Sequence, residues 1–312
     1  MAEKEDEPEV LSRDDALNLA RKGKNDWNVW AEKKKNEGQK LNFSGLNFST
    51  NEKNKAISFE GFIFPGDVLF SRAQFQDARF DGATFMGDAG FDGATFKGDA
   101  QLDGGTFTGP VSLENCQFRT VPDFRRSKFE KHVTLHGVKV APESREARFL
   151  GRAKDADTAD KYRRLKELAV VARDHDREQL FFARELKSKR GHETQGLARQ
   201  APNYFYELLS DFGRSLWRPV LGLFAVLLAF GNLYRCLASK DMEHIWDGLL
   251  FSMAQLFPFL GASKGVLAEA KVALFGTCPA GNWVNFFSVI EGLLGVVFIF
   301  LIGLALRNRF RI

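Results

Sequence analysis

Between Leu41 and Val140 a large apolar residue returns every five or six positions through most of the stretch. The series is Phe43, Phe48, Phe59, Phe64, Phe70, Phe75, Phe80, Phe85, Phe91, Phe96, Leu102, Phe107, Leu113, Phe118, Phe124, Phe129 and Leu135. Two residues ahead of most of them stands a small one: Ala73, Ala78, Ala83, Ala89, Ala94, Ala100, Gly105, Val111, Cys116, Ser127, Val133. In the later half steps of five and six alternate, so the text repeats every eleven residues, as in ATFMGDAGFDG followed by ATFKGDAQLDG. A helix does not hold this rhythm, because each interior glycine costs roughly 1 kcal/mol against alanine. A coil of short strands and turns does. Both sets then point inward, the phenylalanines filling the centre and the small residues the corners. With four faces, one turn of the coil takes two beats, and successive coils stack about 4.8 Å apart.

The A-x-F/L-x-x text, as AQFQD, ARFDG, ATFMG and ATFKG, resembles the pentapeptide-repeat family over some ninety residues. The resemblance implies a right-handed quadrilateral parallel β-helix for residues 41–140. The six-residue steps depart from the strict family period and predict a looser or locally bulged coil. Asp81, Asp92 and Asp103 recur at eleven, as do Asp77, Asp88 and Asp99, which predicts acidic ladders on the outside. Some members of the family mimic DNA with such ladders and bind type II topoisomerases. The GDAGFDG text is also similar to calcium-binding repeats, but those run in nines. The plainer reading is that aspartate and glycine build turns and solvate the faces.

Helical text flanks the coil. Residues 1–40 hold an acidic start without the apolar core of a secretory signal. A single amphipathic helix is expected over 11–38, whose Trp27 and Trp30 need cover and close the coil's end. Residues 141–200 read as a charged helical hairpin and a polar linker over 191–203. One stripe carries Tyr162, Leu165, Leu168, Ala169 and Ala172, the other Leu180, Phe181, Ala183 and Leu186. Asp174, His175 and Asp176 make the turn, where an aspartate cap on the second helix outranks a metal site. The stripes are expected to pair with each other or with a neighbouring subunit, as an oligomerising collar.

Residues 201–312 are the membrane unit. An amphipathic approach carries Tyr204, Phe205, Tyr206, Arg214, Trp217 and Arg218 as interfacial anchors. Residues 217–237 and 283–306 are each long and apolar enough to cross a bilayer. Between them 245–260 is apolar, too short to cross, and broken at Pro258, so it re-enters the membrane or lies on it. Lys187, Lys189, Arg190, Arg199, Arg214 and Arg218 precede the first span and arginines follow the second, which places the soluble part and both termini in the cytoplasm.

No nucleophile elbow, phosphate loop, zinc spacing or paired-carboxylate motif appears, the five histidines are scattered and Cys116, Cys236 and Cys278 lack metal spacing. An enzyme, a cofactor, a metal site and a nucleic-acid partner are therefore not expected. The order span, short helix, glycine-containing loop, span is that of a tetrameric cation-channel pore. With WNVW, DKYRRLK…DHDREQLFFARELKSKR and SDFGRSLWRP, the chain resembles bacterial pentapeptide-repeat proteins bearing a two-helix ion-channel-like domain. That resemblance implies a homotetramer in the bacterial inner membrane with a cytoplasmic assembly.

Irregular backbone at membrane depth survives only where protein or a water-filled cavity receives it, so Phe257, Pro258, Phe259, Leu260, Gly261, Ala262, Ser263 and Lys264 are the candidate pore and filter residues. Glu291, eight residues into the second span, is expected to face an interior and to pair with Arg235. Gly292, Gly295 and Gly303 let second spans cross closely or bend. No T-V-G-Y-G filter is present, and a ring of Lys264 leans toward anion or poorly selective conduction. The expected partners are membrane lipid, further copies of the chain, a permeant inorganic ion and a cytoplasmic regulator on the β-helix. The competing reading is a membrane-anchored scaffold whose solenoid binds a protein while the two spans only tether it.

Overall fold

The computed structural model describes residues 11–33, 37–48, 57–141, 155–190, 193, 196–238, 245–257, 263–275 and 282–310. The chain divides into two compact units, Met1–Gln200 and Ala201–Ile312.

In the first unit the described residues form sixteen two-residue strands, from Leu41–Asn42 to Lys139–Val140, in parallel sheets. Leu41, Val68, Ala89, Val111 and Val133 align in one sheet; Phe48, Phe75, Phe96, Phe118 and Val140 in a second; Phe64, Phe85, Phe107 and Phe129 in a third. Ala78 and Ala100 pair in a fourth. Ala89 pairs with Val111 and Val111 with Val133, so one coil takes 22 residues, two of the eleven-residue beats. The rings stack coil over coil: Phe64, Phe85, Phe107 and Phe129 are separated by 4.7, 4.6 and 4.7 Å between centroids. That is close to the spacing of neighbouring strands, so backbone ladder and ring file share one pitch. Ala73, Ala78, Ala83, Ala89 and Ala94 are fully buried beside them, as the small-before-large pattern requires.

The corners explain the Gly-Asp text. A methyl on Gly87 would lie 2.5 Å from the backbone nitrogen of Asp67, and one on Gly66 2.6 Å from the carbonyl of Gln39, so only glycine lets the coils close up. The neighbouring aspartates accept backbone N–H groups from the next coil: Asp67 from Asp88 at 3.0 Å, Asp77 from Asp99 at 3.1 Å and Asp103 from Arg126 at 2.9 Å. The backbone N–H of Asp88 holds the Asp67 carboxyl below the usual range; the Arg126 side chain does the same for Asp103. Burial pushes Asp81 up, with Glu60 adding to it. The expected ladder of Asp81, Asp92 and Asp103 does not form: a 22-residue coil stacks Asp81 with Asp103, while Asp92 meets Ser112 instead.

Two helices, not one, close the start of the solenoid: α1 (Arg13–Lys22) and α2 (Lys24–Ala31), broken at Gly23, whose φ of 106° lies in the region that favours glycine. Trp27 is fully buried, stacks on Phe62 at 5.3 Å and donates Nε1–H to the Ile63 carbonyl at 2.8 Å. Asn28 accepts from the Ile63 N–H and donates to the Gly61 carbonyl, both at 3.0 Å. Side chains thereby occupy hydrogen-bonding positions that a further strand would fill.

At the other end α3 (Thr158–Val171) and α4 (His175–Ser188) form a hairpin, and Asp174 caps α4 by accepting the Arg177 N–H at 3.0 Å. Its apolar stripes pack on each other, one of the two expected arrangements, and also on the coil. Tyr162, Leu165, Leu168, Ala169 and Phe181 belong to the same buried cluster as the phenylalanines. Arg164 donates to the Ser127 carbonyl at 2.7 Å, Arg184 to Val140 at 2.6 Å, and Arg125 pairs with Asp157 at 2.9 Å. Between the two helices Glu185, almost fully buried, holds Lys166 at 2.6 Å, Lys189 at 2.7 Å and Arg163 at 3.2 Å.

The second unit is all helical. Helix α5 (Leu197–Ser210) begins inside the expected linker and takes Pro202 into its first turns. Asp211, Phe212 and Gly213, all at positive φ, turn the chain into α6 (Trp217–Leu237). Then follow α7 (Ile245–Leu256), α8 (Ser263–Phe275) and α9 (Asn282–Arg309). Helices α6 and α9 are long and apolar enough to cross a membrane. Helix α7 packs on both, and α8, where a loop was expected, packs back on α7.

Candidate functional site

Glu291, on α9, is a carboxyl with no exposed surface. Its apolar surroundings give it few choices, since a buried carboxyl needs donors wherever they can be found. Tyr234, on α6, donates to Oε2 at 2.7 Å, and Ser252, on α7, contacts Oε1. Both are themselves buried. Ser252 Oγ also lies 3.1 Å from the Leu227 carbonyl, and Tyr234 Oη 3.5 Å from Ser288 Oγ. One carboxyl thus joins three helices. The expected pairing with Arg235 does not occur; Arg235 Nε is buried without a hydrogen-bond partner.

Glycines bring these helices close enough. A Cβ on Gly248 would lie 2.5 Å from the Gly231 carbonyl oxygen, so α7 and α6 cross backbone to backbone. A Cβ on Gly295 would lie 2.9 Å from the Leu256 carbonyl, which places the end of α7 against α9. The space that Gly295 leaves is therefore filled by α7 of the same chain, while Gly292 has ordinary room and Gly303 faces open space. Beyond the carboxyl an aromatic cluster of Tyr234, Phe251 and Phe275, with Ala270, Leu274 and Val284, holds α8 to the group.

Of the other expected pore residues, Phe257 directly follows α7 and is half-buried. Pro258, Phe259, Leu260, Gly261 and Ala262 lie outside the described residues; Ser263 and Lys264 open α8. Outward faces stay apolar: Trp246, Leu250 and Met253 on α7, and Val289, Leu293, Val296 and Phe300 on α9, are each more than 40% exposed. Tyr234 and Ser252 went unmarked in the sequence. Their signal was there: a hydroxyl near the end of one apolar stretch and another in the middle of the next, opposite a lone acid.

Among the described residues no three His, Cys, Asp or Glu side chains gather to hold a metal ion. In the first unit an open cleft of about 430 Å³ lies beside the α3–α4 turn, lined by Glu114, His136, Arg173, His175 and Asp176 among others.

These features define a class: a parallel β-solenoid closed at both ends by helices, followed by a helical unit with two helices long and apolar enough to cross a membrane. The solenoid is built of pentapeptide repeats, for the family described as "Pentapeptide repeats (9 copies)" matches residues 59–106 and 91–139. No curated protein and no solved structure matches the chain.

Proposed function

We propose that the chain is the subunit of a homo-oligomeric ion channel, tetrameric in its simplest form, in a bacterial cytoplasmic membrane. In this reading α6 and α9 span the bilayer, α7 re-enters it, and residues 257–264, of which Ser263 and Lys264 belong to the first turn of α8, line the pore. The solenoid, a right-handed quadrilateral β-helix, lies in the cytoplasm with both termini and passes a gating signal to the pore. Conduction is not potassium-selective by a carbonyl filter, and Lys264 tilts it toward anions or poor selectivity.

The observation that carries the reading is α7. It is twelve residues long, too short to cross, yet it is keyed to both long helices through Glu291 and through glycine crossings. A tether has no use for such a helix. Its outward stripe and that of α9 call for lipid or copies of the chain as cover. Purified protein in a planar bilayer tests it: single-channel currents whose ion preference changes in Lys264→Glu support conduction. A silent bilayer together with a monomeric particle in detergent would instead leave the two spans as an anchor for a partner-binding solenoid.

A further inference from the structure

Among the described residues the Glu291 carboxyl has no cationic partner. No ion pair joins it to any described residue, and its neighbours are oxygens: Tyr234 Oη, Ser252 Oγ, the Leu227 carbonyl behind Ser252, and Ser288 Oγ behind Tyr234. None of the described charged side chains on the helices packed round it forms an ion pair with it: Arg218 and Arg235 on α6, Asp247 on α7, Glu269 and Lys271, both exposed, on α8, and Arg307 and Arg309 on α9. Tyr234 is the one titratable side chain that touches it. The hydroxyl hydrogens are also too few. Ser252 owns a single hydrogen and has two acceptors in reach, Leu227 O at 3.1 Å and Glu291 Oε1. Every contact is satisfied at once if the carboxyl donates to Ser252 and Ser252 donates to Leu227. A lone negative charge at zero exposure, among neutral donors, has no such solution.

We propose that Glu291, Tyr234 and Ser252, with the Leu227 carbonyl and Ser288, form a buried binding site for one monovalent cation. In the arrangement seen the oxygens touch each other at hydrogen-bond distance, so the occupant is a proton. A dehydrated sodium ion is the other source of the same charge, and an all-oxygen donor set is the kind that hard cations take. The ligands come from α6, α7 and α9, so occupancy fastens the short helix to both long ones. Loss of the cation leaves a charge that only rearrangement or water entry relieves. The site depends on α6 and α9 lying in lipid but not on conduction.

The test is infrared difference spectroscopy on the full-length protein in lipid nanodiscs at neutral pH. A neutral carboxyl and a carboxylate absorb apart. In sodium-free buffer the wild-type spectrum shows a carboxylic-acid carbonyl band that Glu291→Gln removes and that Tyr234→Phe and Ser252→Ala shift, since each loses a hydrogen-bond partner. Added sodium chloride that bleaches the band at constant pH, where choline chloride does not, shows that sodium displaces the proton; a band indifferent to both shows a proton site alone. The proposal is overturned if the Glu291→Gln difference contains only carboxylate bands. Should Glu291→Gln not fold, a wild-type acid band unmoved in both Tyr234→Phe and Ser252→Ala overturns it equally. Currents without the band remove this site and spare the channel reading, whereas the band with a silent bilayer does the reverse.

Discussion

Replacing Gly248 by alanine puts a methyl carbon 2.5 Å from the carbonyl oxygen of Gly231. Carbon and oxygen in close contact sit at roughly 3.3–3.6 Å, so the α6–α7 crossing must open by about 0.8 Å. The obstacle is backbone on both sides, and no side chain swings away to relieve it. An opening of that size stretches the Ser252–Leu227 contact from 3.1 Å to about 3.9 Å, past hydrogen-bonding range, and loosens the grip of Ser252 on Glu291. Overpacking of this kind costs about 1–3 kcal/mol and the lost hydrogen bond about 1 kcal/mol more. For a unit of this size the sum corresponds to a fall in unfolding midpoint on the order of 10 °C. The assay is thermal unfolding of the full-length protein in detergent, read by tryptophan fluorescence after Trp27 and Trp30 are replaced by phenylalanine in wild type and variants alike, so that the signal comes from the second unit. Gly265→Ala is the control: nothing lies within 4 Å of its Cβ, and a helical alanine gains up to about 1 kcal/mol over glycine. Equal midpoints for Gly248→Ala and Gly265→Ala would refute the tight crossing, and with it the claim that α7 is keyed to α6.

Three further outcomes are expected. Trp27→Ala removes the plug at the start of the solenoid, at a cost of about 3–5 kcal/mol, and amides of residues 59–64 exchange faster with deuterium; unchanged exchange there rejects the plug. Gly87→Ala forces the Gly66–Asp67 corner apart, lowering the solenoid's midpoint by an overpacking term of about 1–3 kcal/mol, and an unaltered circular-dichroism melt speaks against the packed corner. Glu185 gives a pH dependence. Burial pushes its carboxyl up, but hydrogen bonds and charge from Lys166 and Lys189 prevail and hold it below the usual range. A depressed folded value means its stabilisation is complete above the ordinary carboxylate range and fades as pH falls through the folded value. The melting gap between wild type and Glu185→Gln is therefore present at neutral pH and closes on acidification; a gap constant with pH contradicts the ion cluster.

The solenoid was legible because its pattern repeats. Phe64, Phe85 and Phe107 hold one environment each, and identical text in successive coils reports it many times over. The fine register was harder. Asp81, Asp92 and Asp103 look equivalent in the text, but a coil of two beats sends alternate ones to opposite faces. The ends were legible only in part. Trp27 announced a need for cover, but the break at Gly23 depends on a single backbone angle. The stripe of Tyr162 and Leu165 showed that the hairpin must bury a face, and nothing local said that the phenylalanine column would receive it. In the second unit, composition marks the two long helices without marking how they meet. Gly231, Gly248, Tyr234 and Ser252 act through contacts between segments far apart in the chain. The acid at 291 was conspicuous, and its partners were not, because a hydroxyl in an apolar run looks incidental until a carboxyl is seen opposite.

A column of stacked rings and in-register strands is also the architecture of a fibre, which lengthens whenever its terminal rung recruits another strand. Here helical caps with tryptophan at one terminus and an arginine-studded hairpin at the other occupy both rungs. The consequence is a particle of fixed length that does not seed polymers of itself.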